Sequence, residues 1–441
     1  MSEAIRTGAT VAKTTVSRRR LLVYFLLFLL STVSYIDRVS ISIGAKPLAQ
    51  EFHLSPVAQG YLLSSFVWTY AFCLIPIGIV VDRWGARRTI GFCIALWSVM
   101  TAAAGVASNF FLLVLTRLGL GIGESAVFPS GNRVIREWAP AKERGLASTL
   151  FVAGSYAGPA FGAALLGWVV SSYGWRVGFY IAGAVGLAFW VIWMLVYRRP
   201  EGAGWLNTAE RQKILAERNE SAAGAAKSEQ SLSILELLRS QSLWGIALAH
   251  GCGIYSQYLY LTWLPTYLID VRGMTIMKAG FYTGLPYFAA ALINGVLGAI
   301  SDRSLSQAAL GLGQRRYLLA ALKIISAVIL LIPFVDSTIS VMVLLTISLS
   351  TLAGAIGLHF ALMHDLLRNP DNAGKASSIV VLGGNLFGAA APIVTGYVVA
   401  ATGSYNGAFA VAGLLLILGA GLLILMARKP IDQLQAGPAS T

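Results

Sequence analysis

Charge is what this chain has least of. Only 12% of its 441 residues are Asp, Glu, Lys or Arg, against 56% hydrophobic. A soluble globular chain carries about twice that charge. Whole stretches have none: Thr89–Thr116, Gly145–Trp175, Ser240–Ile269 and Ala376–Ala427. A helix crosses a bilayer with about 20 apolar residues. The last stretch is therefore long enough for two, with its break legible at Thr402-Gly403-Ser404-Tyr405-Asn406-Gly407. These runs exclude a soluble architecture and point to a polytopic helical membrane protein. Cysteine is scarce as well. Cys73, Cys93 and Cys252 all sit in apolar runs, which excludes a disulfide frame and reads as buried free thiols, not a metal site. No nucleotide motif is present, so ATP is not implied. No Ser/His/Asp set, metal-ligand cluster or Gly-rich phosphate loop stands in a convincing context, which argues against an enzyme and against any cofactor.

The apolar pattern gives twelve spans, at about 21–44, 57–81, 89–108, 110–133, 144–171, 176–197, 242–269, 277–301, 317–335, 338–364, 375–401 and 405–427. The expected fold is all-α: twelve transmembrane helices in two pseudo-symmetric six-helix bundles around a central cavity. Residues 1–20 form a tail, 21–197 the first bundle, 198–241 a central loop, 242–427 the second bundle and 428–441 a second tail. In the central loop, Asn207–Leu215 reads as a capped surface helix, and the small residues of Ser221–Ser228 suit a flexible linker. The halves repeat. Gly78-Ile79-Val80-Val81-Asp82-Arg83 ends span two and Gly298-Ala299-Ile300-Ser301-Asp302-Arg303 ends span eight; Gly167-Trp168-Val169-Val170 returns as Gly396-Tyr397-Val398-Val399. Two matches in order argue for a duplicated unit, and parallel halves around a cavity are one of the known transporter plans.

Acidic residues are outnumbered 19 to 33, for a net charge of +14. This is no nucleic-acid signal, because the basic residues collect in alternate loops. Arg18–Arg20 precede span one. Arg83, Arg87 and Arg88 follow span two, and Arg133, Arg136, Lys142 and Arg144 follow span four. The same holds for Arg198 and Arg199 after span six, Arg303, Arg315 and Arg316 after span eight, Arg368 and Lys375 after span ten, and Arg428 and Lys429 after span twelve. The opposite loops hold little beyond Lys46, Arg176, Arg272 and Lys278. The positive-inside rule then puts both termini in the cytoplasm. The first apolar stretch lacks a small-residue cleavage site and reads as a retained helix.

Within this apolar background, Tyr35-Ile36-Asp37-Arg38 sets two opposite charges inside the first span. Each costs roughly 2.5–3.5 kcal/mol at a helix centre, and such residues face a bundle interior or a wet cavity. Asp37 and Glu124 are the two acids well inside apolar spans. Arg117 lies seven residues before Glu124, on the same face of span four. Arginine keeps its charge, so Arg38 and Arg117 are anion anchors, able to grip a carboxylate with two parallel hydrogen bonds. The acids, poised between burial and nearby arginines, can load and unload protons. The four charges also sum to zero, which suits a mutually neutralised structural cluster, so both readings stand. In span five, Gly154-x-x-x-Gly158-Pro159-x-x-Gly162 is spaced for close helix contact and carries a kinking proline. Tyr255, Gln257, Tyr258 and Trp263 are candidate wall residues in span seven, Tyr258 first among them. In span ten, His359 sits deep and reads equally as core or as part of a substrate or proton path, whereas His364 and Asp365 lie near its end.

The loop after span two, Gly78-x-x-x-Asp82-Arg83-x-Gly85-x-Arg87-Arg88, resembles the signature of the major facilitator superfamily, and its copy at Gly298, Asp302 and Arg303 is usual there. Within it the chain is similar to the anion:cation symporter family, which includes bacterial sugar-acid and other organic-anion permeases. The segments that carry the likeness are Tyr35-Ile36-Asp37-Arg38; Ser65-Phe66-Val67-Trp68-Thr69-Tyr70 with Ile75-Pro76-x-Gly78; Arg117-Leu118-Gly119-Leu120-Gly121-Ile122-Gly123-Glu124-Ser125-Ala126-Val127-Phe128-Pro129; Arg133 with Trp138-x-Pro140-x-x-Glu143-Arg144; and Leu261-Thr262-Trp263-Leu264-Pro265-x-Tyr267-Leu268.

The resemblance implies a proton-coupled symporter that imports an organic anion, a sugar acid or other small carboxylate, by alternating access. It would sit in a bacterial cytoplasmic membrane, as a monomer, with the anion, protons and the lipid bilayer as its partners. Asp37 and Glu124, with Arg117, would be the proton-coupling set. Arg38 would hold the substrate carboxylate, and Tyr35 and Tyr70 would line the cavity. Gly78, Asp82, Arg83, Arg133, Asp302 and Arg303 would form the cytoplasmic gate. Ser155 falls where some sugar-acid relatives carry Gln. Asn385 lies about one turn from an Asn used in such relatives, where this chain has Val380 and Val381. Fewer polar groups in the pocket imply a less hydroxylated substrate. Two other readings are weaker. An organophosphate/phosphate antiporter wants convergent positive charge from both halves, and Lys323 is the one basic residue well inside the second half's spans. A non-transporting sensor on this fold would need a signalling domain that the short central loop does not provide.

Overall fold

A computed structural model describes residues 19–224, 232–304, 309–310 and 312–432. It is helical throughout, and its long helices follow the expected spans. They are α1 (Leu21–Ile43), α2 (Pro56–Trp84), α3 (Ala86–Ala104), α4 (Phe110–Glu124, continued after a break at Ser125 and Ala126 by Val127–Trp138), α5 (Arg144–Tyr173), α6 (Trp175–Val196), α7 (Gln241–Asp270), α8 (Ile276–Ser304), α9 (Arg315–Ser326, running on as a 3-10 turn over Ala327–Phe334), α10 (Thr338–Asp365), α11 (Ala373–Thr402) and α12 (Asn406–Met426). Among the described residues ten of these are long and apolar enough to cross a membrane; α3 and α7 fall short. Their polar side chains explain this. Ser242, His250, Ser256, Gln257, Thr262 and Thr266 of α7 are all buried, as are Thr89, Ser98 and Thr101 of α3, so these faces meet protein and not lipid. Large apolar side chains such as Phe72, Ile75, Phe334 and Ile339 lie exposed on the outside, as a lipid-facing surface requires.

Helix pairing repeats with a step of six. In the first half α1 packs on α5, α2 on α4, and α3 on both α4 and α6; in the second, α7 packs on α11, α8 on α10, and α9 on both α10 and α12. The halves meet chiefly where α5 packs on α8 and α2 on α11, with a smaller contact of α1 on α7. The seam is built from small residues. A Cβ on Gly280 would stand 2.4 Å from the Ala163 carbonyl oxygen, and one on Gly60 2.6 Å from that of Pro392. The Ser64 hydroxyl donates to the Ala389 carbonyl at 2.6 Å. Lys46, in the short helix Ala45–Glu51, pairs with Asp270 at the end of α7, which also accepts the Tyr405 hydroxyl at 3.1 Å. These contacts lie on the side away from the described chain ends. Gly78 is 18 residues, five full turns, from Gly60 on the same face of α2, and a Cβ there would meet nothing within 4 Å. The halves thus close on the far side, while α2 stands clear on the terminal side.

Inside the first half, α5 lies directly on the α1 backbone. A Cβ on Gly154 would be 2.3 Å from the Phe28 oxygen and one on Gly158 2.6 Å from the Thr32 oxygen. Pro159 sits within α5, which stays continuous. Gly158→Val is expected to push the two helices apart and to cost about 1–3 kcal/mol, seen as a lower unfolding temperature in detergent; an unchanged midpoint would refute this packing.

The terminal side is braced by one network. The Arg20 guanidinium donates to both Glu143 oxygens, at 2.6 and 2.7 Å, and to Glu210 at 2.9 Å; the Tyr24 hydroxyl reaches Glu143 at 3.0 Å. Glu210 is fully buried and belongs to the surface helix Thr208–Gly224, which is longer than the sequence suggested and takes in Ser221–Gly224 of the expected linker. Residues 225–228 of that linker fall outside the described residues. Hydrogen bonding from Arg20 holds the Glu143 carboxyl below its ordinary range. A carboxyl depressed in the fold adds stability above its unfolded pKa of about 4.3, and this is lost as pH falls through the folded value. The unfolding temperature should therefore drop in that acid window, and Glu143→Gln should flatten the drop. Of the thiols, Cys93 and Cys252 are buried as expected; Cys73 is only half-buried.

Candidate functional site

Ser34 and Arg38, one turn apart on α1, both turn to Glu124 at the break in α4. Arg38 Nε donates to Glu124 Oε2 at 2.7 Å and Ser34 Oγ donates to the same oxygen at 2.9 Å. Arg38 Nη2 and Glu124 Oε1 have no hydrogen-bond partner, although Arg38 is 5% exposed and Glu124 fully buried. The guanidinium lies in an aromatic cage, 4.4 Å from the Tyr35 ring centre, 4.7 Å from Phe66 and 4.9 Å from Tyr70. Phe66 also carries Arg117, 5.3 Å from its ring centre, so one ring meets both cations. Tyr258 of α7 completes the surroundings from the second half as an electrostatic neighbour of both arginines.

Asp37 has Glu124 and Arg117 as charged neighbours. Neighbouring residues on a helix point about 100° apart, so its carboxylate faces α3, where Trp97 and Thr101 are its nearest donors. Neither closes a bond: both Asp37 oxygens, Trp97 Nε1, Thr101 Oγ1 and Arg117 Nε are buried without a partner. Among the described residues only the Arg38–Glu124 contact closes an ion pair within this set of four charges. A mutually neutralised cluster would leave few such orphans, since each buried unpaired polar atom carries a desolvation cost.

The glycines of α4 make this geometry. A Cβ on Gly121 would stand 2.3 Å from the Phe66 oxygen, and one on Gly123 2.8 Å from Trp97 Cβ. Their absence lets α2 and α3 approach from either side, so that Phe66, Trp97 and Glu124 converge.

The structure therefore brings Asp37, Arg38, Arg117, Glu124, Tyr35, Tyr70 and Tyr258 together. It sets the other expected residues apart. Ser155 is buried and spends its hydroxyl on Ser31 Oγ at 2.8 Å. Asn385 is half-buried on α11, three residues from Gly388, which abuts Tyr258. His359 lies within the second half beside His250, ring centres 5.3 Å apart. On the terminal side Arg133 donates to the Val81 carbonyl at 2.8 Å, to Asp82 at 3.3 Å and to Glu137 at 2.8 Å. It ties the end of α2 to that of α4 within one half and does not cross the seam. Arg83 is exposed. Asp302 and Arg303 fall in the last turns of α8, their side chains outside the described residues. Sequence reasoning missed Ser34, Phe66, Trp97, Thr101 and His250. Trp97 and Thr101 left one usable signal, two hydrogen-bonding side chains four apart in a charge-free run.

Known proteins give the same frame. The family model described as Major Facilitator Superfamily matches residues 27–369. A probable galactarate/D-glucarate transporter of Bacillus subtilis (strain 168) is 32% identical over 407 residues, 89% of each chain. A probable L-galactonate transporter of Escherichia coli (strain K12) is 29% identical over 430 residues, 96% of this chain and 93% of that one. A probable sulfoacetate transporter of Cupriavidus necator is 28% identical over 389 residues, 88% and 89% of the two chains. Among solved structures, a bacterial homolog to the human lysosomal transporter Spinster, in an inward-facing and occupied conformation, has a TM-score of 0.68 at 20% identity, covering 93% of this chain and 96% of that one; this is a likeness of fold. The chain belongs to the Major Facilitator Superfamily, a family of membrane transporters and not of enzymes, and is related there to the sugar-acid permeases of the anion:cation symporter type.

Proposed function

We propose that this protein imports a small organic anion, a sugar acid or a related carboxylate, together with protons. It works in a bacterial cytoplasmic membrane with both termini inside. The bundles 21–197 and 242–427 rock about the α2–α11 and α5–α8 contacts to expose the site to either side in turn, and a single chain suffices. The observation that carries this reading is Arg38, a cation buried in an aromatic cage with Nη2 unused and its Nε bond held by one oxygen of Glu124. A substrate carboxylate wants the same guanidinium, in the two-bond geometry that arginine offers. While Glu124 is ionised the two anions compete. A proton on Glu124 weakens its hold and frees the fork for substrate, so that anion and proton load together. Asp37, unpaired, is the second proton acceptor, and Arg117 supports the ionised form of either acid. Arg133, fastened to the end of α2, serves the terminal-side gate with Gly78, Asp82, Arg83, Asp302 and Arg303.

The relatives' names support a carboxylate or sulfonate cargo. Within that class, the Ser31–Ser155 bond and the valines at 380 and 381 favour a sparsely hydroxylated anion. The test is uptake of labelled galactarate, galactonate and sulfoacetate into proteoliposomes under an imposed pH gradient, acid outside. Accumulation that a protonophore abolishes supports the reading; equilibration indifferent to the gradient overturns it.

A further inference from the structure

The second half holds a buried basic cluster that the anion site does not use. Lys323 of α9 is fully buried, and its Nζ donates to the Ala249 carbonyl of α7 at 2.6 Å. Room has been made for it. A Cβ on Gly253 would stand 3.2 Å from that Nζ, and one on Gly419 of α12 3.4 Å from its Cδ. His250, next along α7, is 4% exposed with Nδ1 unpartnered; a Cβ on Gly384 of α11 would fall 2.9 Å from its ring. His359 of α10 is fully buried, and its Nδ1 lies 2.6 Å from the Ala355 carbonyl. A carbonyl only accepts, so this Nδ1 carries the hydrogen, and in the neutral ring Nε2 is a bare lone pair. That Nε2 has no partner.

No carboxylate faces these groups among the described residues. Lys323 meets His250 and the Cys252 thiol from α7 and His359 from α10, while α11 and α12 offer Gly384 and Gly419. Three bases without an acid cannot all be charged at once in so dry a place, because each added like charge is left unpaired. The cluster is, however, connected to the anion site. His250, Ile254 and Tyr258 form one stripe of α7, four residues apart, laid against Gly384 and Gly388 of α11, and Tyr258 borders Arg38.

We propose that Lys323, His250 and His359 form a second proton-binding site, in the half opposite Asp37, which holds one shared proton more firmly when an anion occupies the cavity. The incoming proton forms an N–H bond at a bare nitrogen of the cluster and is returned to water when the anion leaves. The link to the anion rests on the function proposed above; the titration of the cluster does not.

Two experiments on the full chain separate these. The first is ring NMR of 13C-histidine-labelled protein carrying His53→Gln and His364→Gln, which leaves 250 and 359 as the only histidines. Both rings should follow one common transition between about pH 5 and 9, displaced by more than about one pH unit in Lys323→Met, where a like charge is gone. The second is proton uptake on adding galactarate to purified protein in weak buffer, which should fall by about one proton per anion bound in both Lys323→Met and His359→Gln. Rings that stay invariant across this range, or a proton count unchanged in both variants, overturn the proposal. If neither galactarate nor sulfoacetate binds, the transport reading loses its substrate class, and the ring titration still decides whether the cluster binds a proton.

Discussion

Arg38→Lys is expected to abolish anion transport while leaving the protein folded. Lysine keeps the charge and fits the cage of Tyr35, Phe66 and Tyr70, where any cation is attracted to the ring faces. It lacks the planar fork that grips a substrate carboxylate with two parallel hydrogen bonds once a proton has loosened Glu124. Charge-assisted hydrogen bonds are worth roughly 1.5–3 kcal/mol each, so binding should weaken on the order of 10- to 150-fold, enough to remove uptake at micromolar substrate. The measurement is galactarate or galactonate binding by titration calorimetry beside counterflow in proteoliposomes. Were Arg38 only the structural partner of Glu124, lysine would preserve the ion pair, and transport would persist near the wild-type rate.

Asp37→Asn should separate carriage from coupling. Asparagine has the size of aspartate, so the packing around this position survives. It cannot take up and release a proton. Exchange of labelled for unlabelled anion, which needs no net proton movement, should stay within a few-fold of wild type. Accumulation against a gradient should collapse: each coupled proton contributes about tenfold in concentration ratio per pH unit, and this factor disappears for the proton that Asp37 carries. Full gradient-driven accumulation in Asp37→Asn would remove Asp37 from the coupling set.

The helical plan could be read from the apolar runs because lipid imposes length and composition on whatever faces it. It was least legible where helices face protein. α7 reads as a span from its charge-free run, although it is too polar to pass on hydropathy, and its burial between α11 and α12 explains why it can be one. The break at Ser125 and Ala126 and the 3-10 turn over Ala327–Phe334 had no local signal. In the site, the membership of Asp37, Arg38, Arg117 and Glu124 was visible as charges in apolar spans. Their pairing was not, since it depends on how α4 turns against α1. The sequence neighbours Asp37 and Arg38 face apart, and Arg38 instead meets a residue 86 positions away. The contact of Phe66 with both arginines is likewise a product of helix approach at Gly121. A lone histidine such as His250 in an apolar run is indistinguishable from ordinary core until Lys323 and His359 are found beside it.

The division of labour between neighbours, Arg38 for the anion and Asp37 for the proton, is tested most directly by watching both cargoes at once. A pH-sensitive dye is trapped in proteoliposomes with no imposed gradient, and galactarate is added outside. The wild-type protein should acidify the lumen as labelled anion enters, Asp37→Asn should exchange anion with the acidification lost or reduced, and Arg38→Lys should do neither. Anion entering with no change in lumen pH in the wild type, or acidification undiminished in Asp37→Asn, would contradict the account.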